Sequence, residues 1–363
     1  ASARWISQVR GDVTRAGDPV LTAALHIFVG EIAGKHGATV TARRHTILGL
    51  KLLNAHPNLW LQAWGENTLV ALALMQGDLR DGMKHATAAA TAAELSGAAS
   101  VKIACLGNLG NLSVIEGAWE RARHYYSRAS EITKIGSEQR TAILESIAKL
   151  DMLEGRTEAA HLALDGIPAF GQDSENAPYA YRHSQLTRAL VLHSERRYDE
   201  ALAQTRVAGA LADRTGDVML HTLSELVRID VLQMQERAED LVEAIDCLHP
   251  KLARLPVEIR GHYERVVGSA AAKVRRELSL GHFRRSSRLF VALGNEAGLF
   301  QLKQSIRIID PQTDPRIAPP RDPSPVRGTR RRMRDRHDER QQRAPAQPGP
   351  QRTAALAHQH LAS

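Results

Sequence analysis

A turn-like position recurs about every 40 residues along most of this 363-residue chain, and this spacing constrains the fold more than any other feature. The predicted turns fall at Gly37, Gly77, Gly117, Gly155, Arg196, Glu236 and Gly281, at intervals of 40, 40, 38, 41, 40 and 45 residues. Glycine adopts the left-handed backbone conformation that ends a helix without steric cost. Apolar-periodic segments flank these positions, so the spacing predicts seven helical hairpins of nearly constant length.

Small residues at a fixed distance from the turns support this prediction. Five residues after the seven turns stand Ala42, Gly82, Ala122, Ala160, Ala201, Leu241 and Ser286. Small side chains there would let the second helix of a hairpin pack closely on the first. A second set of glycines, predicted to end second helices, comprises Gly97, Gly136, Gly216 and Gly294. With only 4% aromatic residues, the composition also favours helices over strands.

One hairpin carries a family resemblance. It contains Leu109-Gly110, Gly117-Ala118-Trp119, Ala122, Tyr126 and Ala129. This pattern resembles the signature of tetratricopeptide repeats (TPR), and the turn within 195–201 is similar to that family's turn. The chain departs from the pattern at Leu241 and Ser286 and lacks the usual closing proline. The resemblance implies an all-α protein, a right-handed α-solenoid of about seven TPR-like helix-turn-helix repeats.

The spacing near 40 residues, rather than about 34, resembles the long-helix variety of TPR found in bacterial transcription regulators. We therefore expect a non-catalytic protein–protein interaction module, the sensory or regulatory part of such a regulator or of a signalling protein. The predicted organisation is an N-terminal lead-in at 1–17, a TPR-like domain at 18–310 and a disordered Pro/Arg-rich tail at 311–363.

The predicted tail differs in composition from the rest of the chain. Residues 311–363 hold eleven arginines, no lysine, five acidic residues and nine of the fifteen prolines, but no aromatic residue. Such a segment cannot bury enough apolar surface to offset its chain entropy. Three interpretations stay open: a linker, a nucleic-acid-binding segment at 327–343, or the product of translation out of frame.

Sequence motifs of catalysis are not found. The chain has no Gly-x-x-x-x-Gly-Lys-Ser/Thr, His-Glu-x-x-His or Gly-x-Ser-x-Gly run, so we expect neither an enzyme nor a cofactor or metal site. Cys105 and Cys247 cannot build a disulfide framework. The sequence also lacks a long apolar run and a signal-peptide pattern, which predicts a cytoplasmic location and no membrane partner.

Stacked hairpins would present their first helices on a concave wall, the usual binding surface of solenoids. The predicted wall carries Glu31, Glu145 and Asp230 but also Lys35, Lys149 and Arg275. This mixture of charges favours a protein or peptide ligand over a nucleic-acid backbone. The candidate residues of the groove are Trp64, Asn67, Asn108, Asn111, Lys149 and His183.

Two features of this wall have alternative interpretations. Asn108 and Asn111 would hold the backbone of an extended peptide, or they would merely face water. Trp60 and Trp64 would stack on a partner, or they would form the apolar seam between adjacent hairpins. We predict that replacing Asn108 and Asn111 with alanine weakens partner binding and leaves the melting temperature nearly unchanged.

Overall fold

The computed structural model describes residues 2–170, 177–272 and 276–309, so the predicted tail lies outside the described residues. Within those ranges the protein is all-α, with sixteen α-helices, one 3-10 helix and no strand. In chain order the helices are α1 (Ser2–Ala16), α2 (Pro19–Lys35), α3 (Thr39–Ala55), α4 (Leu59–Gln76), α5 (Leu79–Ser96), α6 (Ala99–Ile115), α7 (Trp119–Ile132), α8 (Glu138–Leu153), α9 (Thr157–Asp165), α10 (Tyr179–Ser194), α11 (Tyr198–Thr215), α12 (Val218–Met234), α13 (Ala238–Leu248), the 3-10 helix (His249–Arg254), α14 (Val257–Ala271), α15 (Arg276–Leu293) and α16 (Glu296–Ile309).

The helices pack in consecutive pairs from α2–α3 to α14–α15. The first member of each pair also contacts the first member of the next, from α2 to α4 and onward to α16. We call α2, α4, α6, α8, α10, α12, α14 and α16 the first helices. Leu112, Leu150 and Ile229, which lie on first helices, have no exposed surface. Burial of these side chains between neighbouring helices supplies the main driving force for the packing.

Six of the seven predicted turns are confirmed by the backbone. Positive φ angles between 61° and 77° occur at Gly37, Gly77, Gly117, Gly155, Arg196 and Glu236. The second set of glycines is confirmed in the same way, because Gly97, Gly136, Gly216 and Gly294 also have positive φ. Arg196 and Glu236 therefore adopt a conformation that costs a side-chain-bearing residue about 1–2 kcal/mol.

The seventh predicted turn is wrong. Gly281 lies inside α15, well past the end of α14 at Ala271. Ser286 nevertheless marks a close approach of the two helices, because its hydroxyl donates a 2.8 Å hydrogen bond to the carbonyl oxygen of Gly261. A Cβ added to Gly261 would lie 2.7 Å from the Phe290 ring, so this glycine makes room for the aromatic side chain.

A comparison with the α6–α7 hairpin explains the error. We call the place where a glycine of one helix makes room for an aromatic ring of the next helix the packing point. In the α6–α7 hairpin, Gly110 makes room for the ring of Tyr126, and Ala122 is fully buried. Twelve residues separate Gly110 from Ala122, whereas 25 separate Gly261 from Ser286. Both α14 and α15 therefore extend further beyond their packing point than α6 and α7 do. A turn placed five residues before the small residue Ser286, as in the other hairpins, consequently falls within α15.

The C-terminal helices also return to earlier hairpins. A Cβ added to Gly77 would lie 2.8 Å from Leu293 Cδ1, and one added to Gly117 would lie 3.3 Å from Glu296 Cβ. The rings of Trp119 and Phe300 meet edge to face, with their centroids 5.2 Å apart. We call this packing of α14 and α16 on the turns after α4 and α6 the closure contact.

Candidate functional site

The six candidate groove residues all lie on first helices and are all half-buried. Trp64 and Asn67 belong to α4, Asn108 and Asn111 to α6, Lys149 to α8 and His183 to α10. Among the described residues, the structure joins just one pair of the six by a direct hydrogen bond, Asn67 with Asn108. Each of the other four has a different partner within the chain.

The Asn67–Asn108 pair links two neighbouring first helices. Nδ2 of Asn108 donates a hydrogen bond of 3.1 Å to Oδ1 of Asn67. An asparagine side chain has two N–H donors and an oxygen that accepts two hydrogen bonds. One bond therefore leaves both side chains with unused capacity, which includes the Asn67 amide nitrogen and the Asn108 oxygen.

Asn111 has a structural partner that the sequence did not reveal. The hydroxyl of Tyr126 donates a 2.6 Å hydrogen bond to Oδ1 of Asn111. Tyr126 is 1% exposed, and burial raises the pKa of its hydroxyl above the ordinary value. Asn111 thus satisfies a buried donor, and its amide nitrogen is not used in this bond.

The tryptophans form a seam between hairpins. Trp60 and Trp64 stack with centroids 5.9 Å apart, and Phe28 of the preceding hairpin lies 6.2 Å and 6.3 Å from them. The indole Nε1 of Trp64 donates a 2.8 Å hydrogen bond to Oε2 of Glu31. Trp64 therefore belongs to the packing between α2 and α4, in agreement with the second of its two interpretations.

Lys149 pairs with a buried carboxylate. Its Nζ lies 2.5 Å from Oε1 of Glu145, which also accepts a 2.5 Å hydrogen bond from the Thr187 hydroxyl of α10. Burial acts to raise the pKa of Glu145, but the charge of Lys149 and these hydrogen bonds outweigh it and keep the pKa below the ordinary value. Glu145 therefore stays ionised between α8 and α10.

His183 stands in a second group of charges. Its ring lies 4.3 Å from that of Tyr179, and its Nε2 lies 3.5 Å from Oδ2 of Asp217, at the start of α12. Arg182 donates a 3.3 Å hydrogen bond to the same carboxylate oxygen. His183 Nε2 and Arg182 Nε are buried without a hydrogen-bond partner in the described part of the chain.

These contacts gather into one region that we call the inner polar cluster, formed by Lys35, Glu145, Lys149, Tyr179, Arg182, His183 and Asp217. Lys35 Nζ lies 5.9 Å from the centroid of the Tyr179 ring, which brings the end of α2 to the start of α10. Burial raises the pKa of the Tyr179 hydroxyl above its ordinary value, and the negative charges of Asp217 and Glu145 raise it further. The cluster therefore combines residues of α2, α8, α10 and the α12 cap.

Sequence reasoning missed Tyr179, Arg182 and Asp217 of this cluster. Tyr179 begins α10 and lies 17 residues before the turn at Arg196, whereas the candidate residues Trp64 and His183 lie 13 residues before their turns. Its position four residues before His183 was a usable signal, because residues four apart share one face of a helix.

No family model matches this chain, and no curated protein is detectably similar to it. No helix in the described ranges is long and apolar enough to cross a membrane. Within the same ranges, no group of three or more His, Cys, Asp and Glu side chains is placed to hold a metal ion.

Proposed function

We propose that this chain is a non-catalytic interaction module, built as a right-handed TPR-like solenoid of about seven repeats, whose first helices bind a peptide or a segment of another protein. Consecutive helix pairs and contacts between successive first helices support this architecture. The regular left-handed turns support it as well. In such an array the first helices form a continuous wall on which an extended ligand can lie.

The observation that carries the proposal is the Asn67–Asn108 pair. Its hydrogen bond fixes the two side chains relative to one another across α4 and α6. The unused donors and acceptors are therefore already oriented before a ligand arrives, which lowers the entropic cost of binding. A peptide backbone offers alternating N–H and C=O groups that match them.

The charges on the wall favour a ligand of mixed charge. Lys35 Nζ lies 2.9 Å from Glu31, and Lys149 Nζ lies 2.5 Å from Glu145, so each lysine has a carboxylate four residues before it. A polyanion would meet these carboxylates as well as the lysines. A polypeptide segment with both signs of charge suits this arrangement better than a phosphodiester backbone.

The biological role that we propose is regulatory: the module would be the sensory part of a bacterial transcription regulator or signalling protein. The support is the spacing near 40 residues, which resembles the long-helix repeats of such regulators. On this proposal, ligand binding at the wall is the input signal that the module reports.

The test is selection of a displayed random-peptide library on the purified chain, followed by affinity measurement for the enriched peptides. The variant Asn67→Ala with Asn108→Ala removes both partners of one hydrogen bond, so it leaves no unpaired group behind. We expect it to bind the peptides at least about tenfold more weakly, a loss of about 1.4 kcal/mol.

The matched control is Asn54→Ala, which removes an exposed asparagine from the end of α3, a second helix. It should bind the peptides like the wild type. Failure of any peptide to enrich, or unchanged affinity of the Asn67/Asn108 variant, would overturn the proposal.

A further inference from the structure

Charge is distributed unevenly along the described helices. Residues 1–250 contain 25 Lys and Arg against 30 Asp and Glu, whereas residues 251–309 contain 12 against 4. The first region therefore has a formal charge of −5 and the second a charge of +8. This asymmetry is hidden in the overall value of +8 for the whole chain.

The basic residues of the last two helices lie on the surface. Arg284 and Arg288 of α15 and Lys303 and Arg307 of α16 are all exposed. Each pair is four residues apart, so its members lie about 6 Å apart along one side of their helix. Phe283, Leu302 and Ile306 are buried together where the two helices meet. Arg284, Lys303 and Arg307 directly follow these residues in sequence and so lie about 100° further round each helix.

Within the described residues, none of these four cations forms a salt bridge with a carboxylate, whereas the neighbouring Arg285 pairs with Glu264 at 2.8 Å. The acidic residues of α15 and α16, Glu277 and Glu296, are confined to the first turn of each helix. Elsewhere in the described chain many exposed arginines have a nearby acid, as Arg197 has Glu200 at 2.7 Å and Arg237 has Asp240 at 2.6 Å. We use the name basic face for two exposed pairs of cations on neighbouring helices, Arg284 with Arg288 and Lys303 with Arg307.

We propose that the basic face binds the phosphodiester backbone of a nucleic acid, independently of any ligand at the Asn67–Asn108 pair. Arginine carries a planar fork of donors that matches phosphate oxygens, and three of the four residues are arginine. The net negative charge of residues 1–250 disfavours binding of a polyanion elsewhere on the described helices.

A nucleic acid fits this surface better than an acidic protein does. The core of a protein interface is apolar or aromatic, whereas the four residues of the basic face are all cations. Binding to a phosphodiester backbone requires only a cluster of exposed cationic side chains. The affinity depends on the salt concentration because counterions are released on binding.

The test uses the full chain with fluorescent 30-mer duplex DNA and single-stranded RNA of random sequence, and follows anisotropy between 50 and 200 mM salt. In the variant Arg284→Gln, Arg288→Gln, Lys303→Gln and Arg307→Gln, we expect affinity at 100 mM salt to fall at least about tenfold. For each phosphate that the variant no longer neutralises, the slope of log affinity against log salt should become less steep by about 0.9 with duplex DNA and by about 0.7 with single-stranded RNA.

The matched control removes four exposed cations from second helices of the acidic region: Lys51→Gln, Lys84→Gln, Arg128→Gln and Arg206→Gln. It loses the same charge but should keep the affinity and the salt slope of the wild type. Melting temperatures within about 2 °C of the wild type, measured for both variants, ensure that folding is preserved.

Three outcomes would overturn the proposal. In the first, the wild type fails to bind either nucleic acid. In the second, the two variants lose affinity equally. In the third, the basic-face variant binds as the wild type does, which would assign binding to arginines elsewhere, including the segment 327–343. A labelled poly-glutamate peptide that binds where nucleic acid does not would assign the face to an acidic protein and would equally overturn the proposal.

Discussion

The hydroxyl of Tyr126 on α7 donates its hydrogen bond to Oδ1 of Asn111 on α6, at 2.6 Å, from a position with almost no solvent access. Replacing Asn111 with alanine therefore leaves a buried donor without this acceptor. We expect the free energy of unfolding to fall by about 1–3 kcal/mol. Urea denaturation of Asn111→Ala, Tyr126→Phe and the double variant measures the effect.

In that series, adding Tyr126→Phe to Asn111→Ala should restore part of the lost free energy of unfolding. The second substitution removes the buried hydroxyl that has lost its acceptor. Strictly additive effects would contradict the coupling. This expectation also corrects the one drawn from the sequence, which was that removing Asn108 and Asn111 would hardly change the melting temperature.

Gly110 should not tolerate even the smallest side chain. A Cβ at this position would overlap the ring of Tyr126, which is held in the core between α6 and α7. We expect Gly110→Ala to lower the free energy of unfolding by about 1–3 kcal/mol, as overpacking does. The control is Gly209→Ala in α11, where no atom lies within 4 Å of the added Cβ.

Thermal unfolding followed by circular dichroism compares these two variants. Gly209→Ala should stabilise the chain by about 0.5–1 kcal/mol, because alanine costs less backbone entropy in a helix than glycine. Equal melting temperatures for Gly110→Ala and Gly209→Ala would show that α6 and α7 are not packed as described.

Replacing Arg196 with glycine should increase the stability of the folded chain. Its φ of 64° lies in the left-handed region, and the residue is exposed. Relief of steric cost should outweigh the greater freedom of glycine in the unfolded chain, so we expect Arg196→Gly to stabilise by about 0.5–1 kcal/mol. Gly155→Ala, at φ 77°, should have the opposite effect. A lower melting temperature for Arg196→Gly would argue against this turn geometry.

Glu258 should make stability depend on pH. Burial raises the pKa of its carboxyl from 4.5 to about 7, and the opposing effects of the Asn295 hydrogen bond and the Lys149 charge are smaller. The unfolded chain releases this proton as pH passes about 4.5, while the folded chain keeps it until about pH 7. The stability of the wild type should therefore decline over this range and not decline further above it.

Glu258→Gln keeps an oxygen that can accept the 3.0 Å hydrogen bond from Asn295 Nδ2, and it does not ionise. We expect the variant to lack this decline and to exceed the wild type in melting temperature at pH 8. Parallel melting curves of the two proteins against pH, from pH 4.5 to 8, would contradict a raised pKa at this position.

The sequence predicted what is local and repetitive. Gly117 and Gly155 could be placed because glycine has a particular backbone freedom, and Arg196 because it fell at the expected interval. Gly281 could not be corrected from sequence, since the length of a helix beyond its packing point leaves no periodic signal of its own.

Contacts within the candidate site depended on tertiary structure. The bond between Asn111 and Tyr126 joins residues 15 apart on two helices, and that between Asn67 and Asn108 joins residues 41 apart. Residue type suggested that these asparagines would seek partners, but only the rotation and depth of each helix decide whether the partner is water, a ligand or another side chain.

The closure contact bears on how the chain loses its structure. An array in which every hairpin touches only its neighbours can fray from one end, with each unit lost almost independently. Gly117 and Glu296 instead meet across 179 positions of chain, as do Trp119 and Phe300 across 181. Folding must close this long loop, which slows it. Unfolding must break both ends together, so the helices from α4 to α16 should melt as a single cooperative unit.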